Sequence, residues 1–127
     1  MERSIRRVLV VEDDEDIRTT VSQLLQDEGY HVACAADGLE AMNWLRAAPE
    51  LPQVILLDLM MPLMDGYQFR AEQRADGRLS NIPVLLMTAA GDLHAKALEL
   101  DARGCLKKPF RDVESILDAV ERAFVSG

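Results

Sequence analysis

Hydrophobic positions along this chain come in two alternating forms. Short apolar runs rich in Val, Ile and Leu read as strands: Arg7–Val11 (RVLVV), His31–Ala35 (HVACA), Val54–Asp58 (VILLD), 83–88 (PVLLMT) and a shorter one at 105–107. Between them the apolar residues take helical spacing. Ile17, Val21, Leu24 and Leu25 fall at i, i+4, i+7 and i+8, and Gly29 closes that helix as a C-terminal glycine should. Asp37-Gly38 turns into a second helix with Leu39, Met42 and Leu45 on its expected buried side, closed off by Pro49 and Pro52. The pattern of a third helix, over 67–75, is poor: Phe69 is apolar, but Arg70, Gln73 and Arg74 are not. A fourth is expected over 93–100. A fifth, over 112–124, carries the stripe Val113, Ile116, Leu117, Val120 and Phe124. Strand and helix alternating five times predict an α/β fold, a parallel sheet with helices on both faces and right-handed crossovers.

Composition narrows the setting. The 127 residues suit one domain, 1–127 with its core over about 7–124, and the three residues after Phe124 are too few for an output domain. A net charge of −8 argues against direct contact with nucleic acid or anionic membranes. No basic-then-apolar leader opens the chain, and Asp58, Pro62 and Thr88 break its apolar runs far short of the roughly 20 residues of a membrane span. With only Cys34 and Cys105, free thiols and a cytoplasmic location are expected.

The chemistry lies where strands end. In a parallel sheet the residues after each strand line one edge, where ligands bind in open α/β folds. Here that edge collects Glu12, Asp13 and Asp14 after the first strand, Asp58 at the end of the third, Thr88 at the end of the fourth and Lys108 after the fifth. Asp58 follows four apolar residues, so its charge is expected beside a low-dielectric core. If the first and third strands are neighbours, carboxylates ~4 Å apart repel by about 4 kcal/mol at an effective dielectric near 20. Protonation or a cation must relieve that. A few carboxylates with waters suit Mg²⁺, and a hydroxyl with an ammonium suits a phosphoryl group. Asp14, Glu15 and Asp16 read instead as a solvated helix start, and His31, His94 and Lys107 as residues without a role in the site.

VLVVEDDEDIR, LLDLMMPLMDG, PVLLMTA and LKKPF, in this order, resemble the receiver domain of bacterial two-component response regulators, from about residue 7 to 124. Separations of 45, 30 and 20 residues between Asp13, Asp58, Thr88 and Lys108 fit that family. The resemblance implies a flavodoxin-like sheet in the order 2-1-3-4-5, as in the chemotaxis receiver. It implies that Asp58 accepts a phosphoryl group from a histidine kinase or phosphotransfer protein. Asp13, Asp58 and the Met60 carbonyl would bind Mg²⁺ directly and Glu12 through water. Thr88 and Lys108 would contact the phosphoryl oxygens, and the Lys108–Pro109 bond would be cis. A downstream protein would bind the face formed by the fourth helix, fifth strand and fifth helix, and a dimer formed on phosphorylation is compatible with this. In that order Cys34 and Cys105 lie at opposite edges, about 19 Å apart and too far for a disulfide.

Three positions depart from the family pattern. Cys105 stands where an aromatic residue usually precedes the lysine by three, Asp101 where a glycine commonly ends the fourth helix, and Glu12 where Asp is more frequent. The domain is expected to accept a phosphoryl group rather than act as an enzyme, with at most slow loss of that group. Three alternatives differ in kind. A haloacid-dehalogenase-type hydrolase needs a second acid where Met60 stands, and a flavodoxin-like electron carrier needs a hydroxyl- and glycine-rich loop where the acids 12–16 stand. Cys105 keeps open a receiver-like interaction domain that works without phosphorylation.

Overall fold

The computed structural model describes residues 5–89, 91–110 and 112–125. Five strands and five helices alternate: β1 (Arg7–Val11), α1 (Glu15–Asp27), β2 (His31–Ala35), α2 (Gly38–Ala47), β3 (Val54–Asp58), α3 (Gly66–Ala75), β4 (Val84–Thr88), α4 (Leu93–Glu99), β5 (Gly104–Lys107) and α5 (Val113–Val125). The strands form one parallel sheet in the order β2-β1-β3-β4-β5. Every residue of β3 and β4 is buried, because helices cover both faces of these inner strands.

Side chains alternate across the sheet. Leu9, Val11, Ile55, Leu57, Val84 and Leu86 point to one side and pack with Met42 and Leu45 of α2 and Phe69 of α3. Val8, Val10, Val54, Leu56, Leu85 and Met87 point to the other and meet Val21 and Leu25 of α1 and Ile116 and Val120 of α5. The two apolar layers leave β3 sealed except at its last residue, Asp58.

Two side chains expected in the core lie outside it. Leu39 is 45% exposed, because α2 is turned so that Gly38, Ala41, Met42 and Leu45 face inward. Gly38 sets that rotation: its N–H donates to the Met64 carbonyl at 3.1 Å, and a Cβ there would sit 2.5 Å from the same oxygen. Val113 is 51% exposed, since it opens α5 ahead of the inward row Ile116, Val120 and Ala123. The poor pattern of α3 also has a physical reason. Its inner face is Gly66, Phe69, Arg70 and Gln73, so half of what it buries is polar. Gln73 Nε2 donates to the carbonyls of Leu79 and Ile82, both at 3.0 Å, and its Oε1 accepts from Arg70 at 2.8 Å. Buried amides that complete their hydrogen bonds in this way can replace apolar residues in a core.

Asp101 has φ 53°, the left-handed conformation that Asp tolerates better than most residues. Lys108–Pro109 is cis. Both cysteines are free, on the opposite edge strands β2 and β5. Among the described residues no helix is long and apolar enough to cross a membrane.

Candidate functional site

The carboxyl ends of β1, β3, β4 and β5 meet at one edge. Strand register brings Val11 beside Leu57, Asp58 beside Met87 and Thr88 beside Lys107. The sequence motifs thereby become neighbours in space.

Glu12 is the most enclosed of the acids, with no measurable exposure. Its Oε2 accepts the Asp14 N–H at 3.1 Å, and its Oε1 pairs with Lys108 Nζ. Asp58 is 4% exposed and lies 3.4 Å from the same Nζ through Oδ2. Asp13 is exposed at the rim. One carboxylate oxygen from each of Glu12, Asp13 and Asp58 falls within 4.8 Å of the others. Hard oxygen donors at this spacing fit a divalent cation of the Mg²⁺ type. Burial pushes the Asp58 carboxyl up to about 7; the Glu12 charge adds to the rise, and Lys108 opposes it. The single ammonium therefore neutralises only part of a buried acidic cluster, which suits an additional cation.

The backbone fixes the remaining groups. Lys108 donates its N–H to the Thr88 carbonyl at 3.1 Å, so the end of β4 positions the lysine. Thr88 itself is 1% exposed. Met60 leaves its side chain 67% exposed and directs its N–H toward Asp58 Oδ1 at 3.4 Å. The loop between β3 and α3 is pinned at its far end, where the Gly66 N–H donates to the Leu59 carbonyl at 2.9 Å. Asp65 caps α3, accepting from Gln68 N–H while Gln68 returns a bond to Asp65 N–H.

Asp14 proves to be the N-cap of α1, accepting the Ile17 N–H at 3.0 Å, with Glu15 and Asp16 in the first turn. His31 and His94 are exposed and lie outside the cluster. Arg18 is a site residue that sequence reading did not single out. Its guanidinium donates to the Glu12 carbonyl at 2.8 Å and the Asp13 carbonyl at 3.4 Å, holding the acidic loop from beneath. The available signal was a cation two residues after a run of five acids. Gly38 and Gly66 read in the sequence only as turn glycines; their close approach to Met64 and to Asp58 and Leu59 is not legible there, since it is a property of the partner backbone.

Fold and pocket together define a class: a flavodoxin-like α/β domain with a lysine-balanced acidic pocket at the carboxyl edge of its sheet. Residues 8–121 match the response regulator receiver domain, and the chain belongs to that family, the receiver module of two-component systems. Phosphorylation and Mg²⁺ are general features of the family. The chain is 39% identical over 120 residues to a probable transcriptional regulator ycf27 of Guillardia theta, covering 91% of this chain and 45% of that protein. It is 40% identical over 112 residues to the transcriptional regulatory protein CpxR homolog of Haemophilus influenzae, covering 87% and 47%. The chain thus spans about half the length of the curated relatives it matches. Among solved structures, the chemotaxis response regulator CheY4 of Vibrio cholerae superimposes with a TM-score of 0.85 at 35% identity, covering 94% of this chain and 99% of that one. A putative response regulator from Chloroflexus aurantiacus gives 0.86 at 29% identity, covering 96% and 99%.

Proposed function

We propose that Asp58 is the phosphoacceptor of a two-component relay, taking a phosphoryl group from the phosphohistidine of a sensor kinase or phosphotransfer protein. The observation that carries this reading is the pairing of a buried Asp58 with Lys108 beside the fully buried Glu12. Asp58 Oδ attacks phosphorus, an O–P bond forms, the N–P bond to the donor imidazole breaks, and the ring nitrogen keeps the electron pair. In its ionised form the Asp58 carboxylate needs no general base for this, so positioning and charge neutralisation carry the catalysis. The Lys108 ammonium turns from the acids to the incoming phosphoryl oxygens, and the Thr88 hydroxyl donates to them. Asp13, Asp58 and the Met60 carbonyl would hold Mg²⁺ directly, and Glu12 through water. When bound, the ion supplies positive charge for the transferring group.

The product is a signalling state rather than a released compound, so the chain does not act as an enzyme on phosphomonoesters. Downstream, phosphorylation favours one arrangement of the α4–β5–α5 face for a protein partner or a second copy. Acetyl phosphate with Mg²⁺ is expected to add one phosphoryl group, seen by intact mass, and Asp58→Asn to abolish it. Phosphorylation of the Asn variant would remove Asp58 from the role.

A further inference from the structure

We propose that the outer edge of β2, with the cleft beside Trp44, takes an extended, basic segment of a partner protein as an added strand, its apolar side chains entering the cleft. None of the acids around Asp58 lines this cleft, and the inference does not rest on the reading of Asp58.

The sheet has two edges, and they differ. β5 ends in Lys107, with Lys108 and Pro109 directly after it, residue types that discourage a further strand. β2 reads HVACA, with neither lysine nor proline. The His31 N–H donates to the Arg6 carbonyl at 2.8 Å, and the Ala35 carbonyl accepts the Glu12 N–H at 3.0 Å. In this parallel ladder His31, Ala33 and Ala35 therefore turn their backbone groups toward β1, while Val32 and Cys34 turn theirs outward. Among the described residues nothing bonds to those outward groups. An open row of N–H and C=O groups is a template for main-chain pairing.

Beside the edge, on the α2 side of the sheet, lies a cleft of about 420 Å³, lined by His31 and Ala33 of β2, Trp44 and Ala47 of α2, and Pro49 and Pro52. Side chains at i and i+2 of an extended segment lie on one face about 7 Å apart, so two of them can share a space of this size. Main-chain pairing would supply affinity, and the cleft would select large apolar residues at alternate positions. Charge selects the rest. Asp27 and Glu28 close α1 just ahead of β2, and the last turn of that helix has no basic residue to offset them or the helix dipole. Asp37 and Glu40 follow β2 at the start of α2. Arg7, at the rim of the cleft, is already paired with Glu50 at 2.8 Å. A basic segment answers these acids. A second copy fits less well, since each chain carries a net charge of −8.

The peptide acetyl-KLKLKLK-amide, added to the whole chain at low salt, tests this. Trp44 is the only tryptophan, so its emission reports on the cleft directly and should shift to the blue on binding. In a paired strand only one of the two alternating sets of peptide N–H groups faces β2. N-methylation of that set should abolish binding, and N-methylation of the other should be tolerated. Trp44→Ala and Cys34→Pro should each weaken binding of a fluorescein-labelled peptide about tenfold, the scale of one lost apolar contact or one to two lost hydrogen bonds. Both variants should keep the wild-type far-UV circular dichroism. Asp27→Asn with Glu28→Gln should weaken binding and flatten its dependence on salt. Equal effects of the two N-methylated peptides, or wild-type affinity in Trp44→Ala and Cys34→Pro, reduce the binding to charge attraction and overturn the site. Absence of binding overturns it as well, and a dimer in sedimentation velocity that Cys34→Pro disperses would then give the edge to a second copy.

Discussion

Asp58 and its neighbours show how a single carboxyl can govern stability as well as chemistry. Its folded-state pKa of about 7 lies above the ordinary 3.8. Between those values the folded protein holds a proton that the unfolded chain has lost, so stability falls as pH rises through that window. Below about 4 both states are protonated and the effect vanishes; above about 7 it is complete. Three pKa units correspond to at most about 4 kcal/mol at 1.36 kcal/mol per unit. Without Mg²⁺, Asp58→Asn is expected to be more stable than the wild type at pH 8, with the difference shrinking toward zero near pH 4. Urea unfolding across that range checks it, and a difference that does not change with pH would contradict it. The residue types at this edge were legible in the sequence because each terminates an apolar run. The pKa was not, because it arises from burial in the folded sheet and from the Glu12 charge, against the opposing effect of Lys108, and all three depend on tertiary contacts.

At the scale of elements, the loops around the pocket depend on close approach, and α3 depends on polar burial. A Cβ on Gly66 would lie 2.7 Å from both the Asp58 carbonyl oxygen and Leu59 Cα, backbone atoms that cannot yield alone. Gly66→Ala should destabilise by about 1–3 kcal/mol, the usual range for overpacking, and should weaken Mg²⁺ binding measured by titration calorimetry. Gly77 has nothing within 4 Å of such an atom, so Gly77→Ala should stay within about 0.5 kcal/mol of the wild type. In α3, Gln73→Met keeps the volume but leaves the Leu79 and Ile82 carbonyls and an Arg70 donor without Gln73. A loss of about 1–3 kcal/mol or more is expected by denaturant unfolding, the penalty for stranding buried polar groups. The hydrophobic pattern located α3 poorly for this reason. Periodicity detects apolar faces, and the Arg70–Gln73 pair hides half of this one.

For the whole molecule, ligand binding and folding are linked. The carboxylates of Glu12, Asp13 and Asp58 come from two strands that meet only in the folded sheet, so the unfolded chain lacks the site. Mg²⁺ at a hundredfold excess over its Kd should therefore stabilise the protein by about 2.7 kcal/mol. Thermal unfolding with and without EDTA measures this. The gain should be absent in Asp58→Asn; an equal rise in that variant would place the ion elsewhere.

What the sequence determined by itself was local. Five apolar runs set five strands, the apolar spacings set three helices clearly and one weakly, α4 was expected only from its place between strands, and the strand ends named Glu12, Asp13, Asp58, Thr88 and Lys108. Tertiary structure decided what depends on distance across the chain. It turned Leu39 outward because Gly38 had to meet Met64, placed Arg18 beneath the acidic loop, and gave Lys108 to Glu12 as well as Asp58. It also set the hydrogen bonds of Arg70 with the Leu100 and Asp101 carbonyls and of Lys96 with Tyr67. A pattern of residues records which side of an element is buried. The pairing of one charged group with another depends on strand order and register, which only the folded sheet supplies.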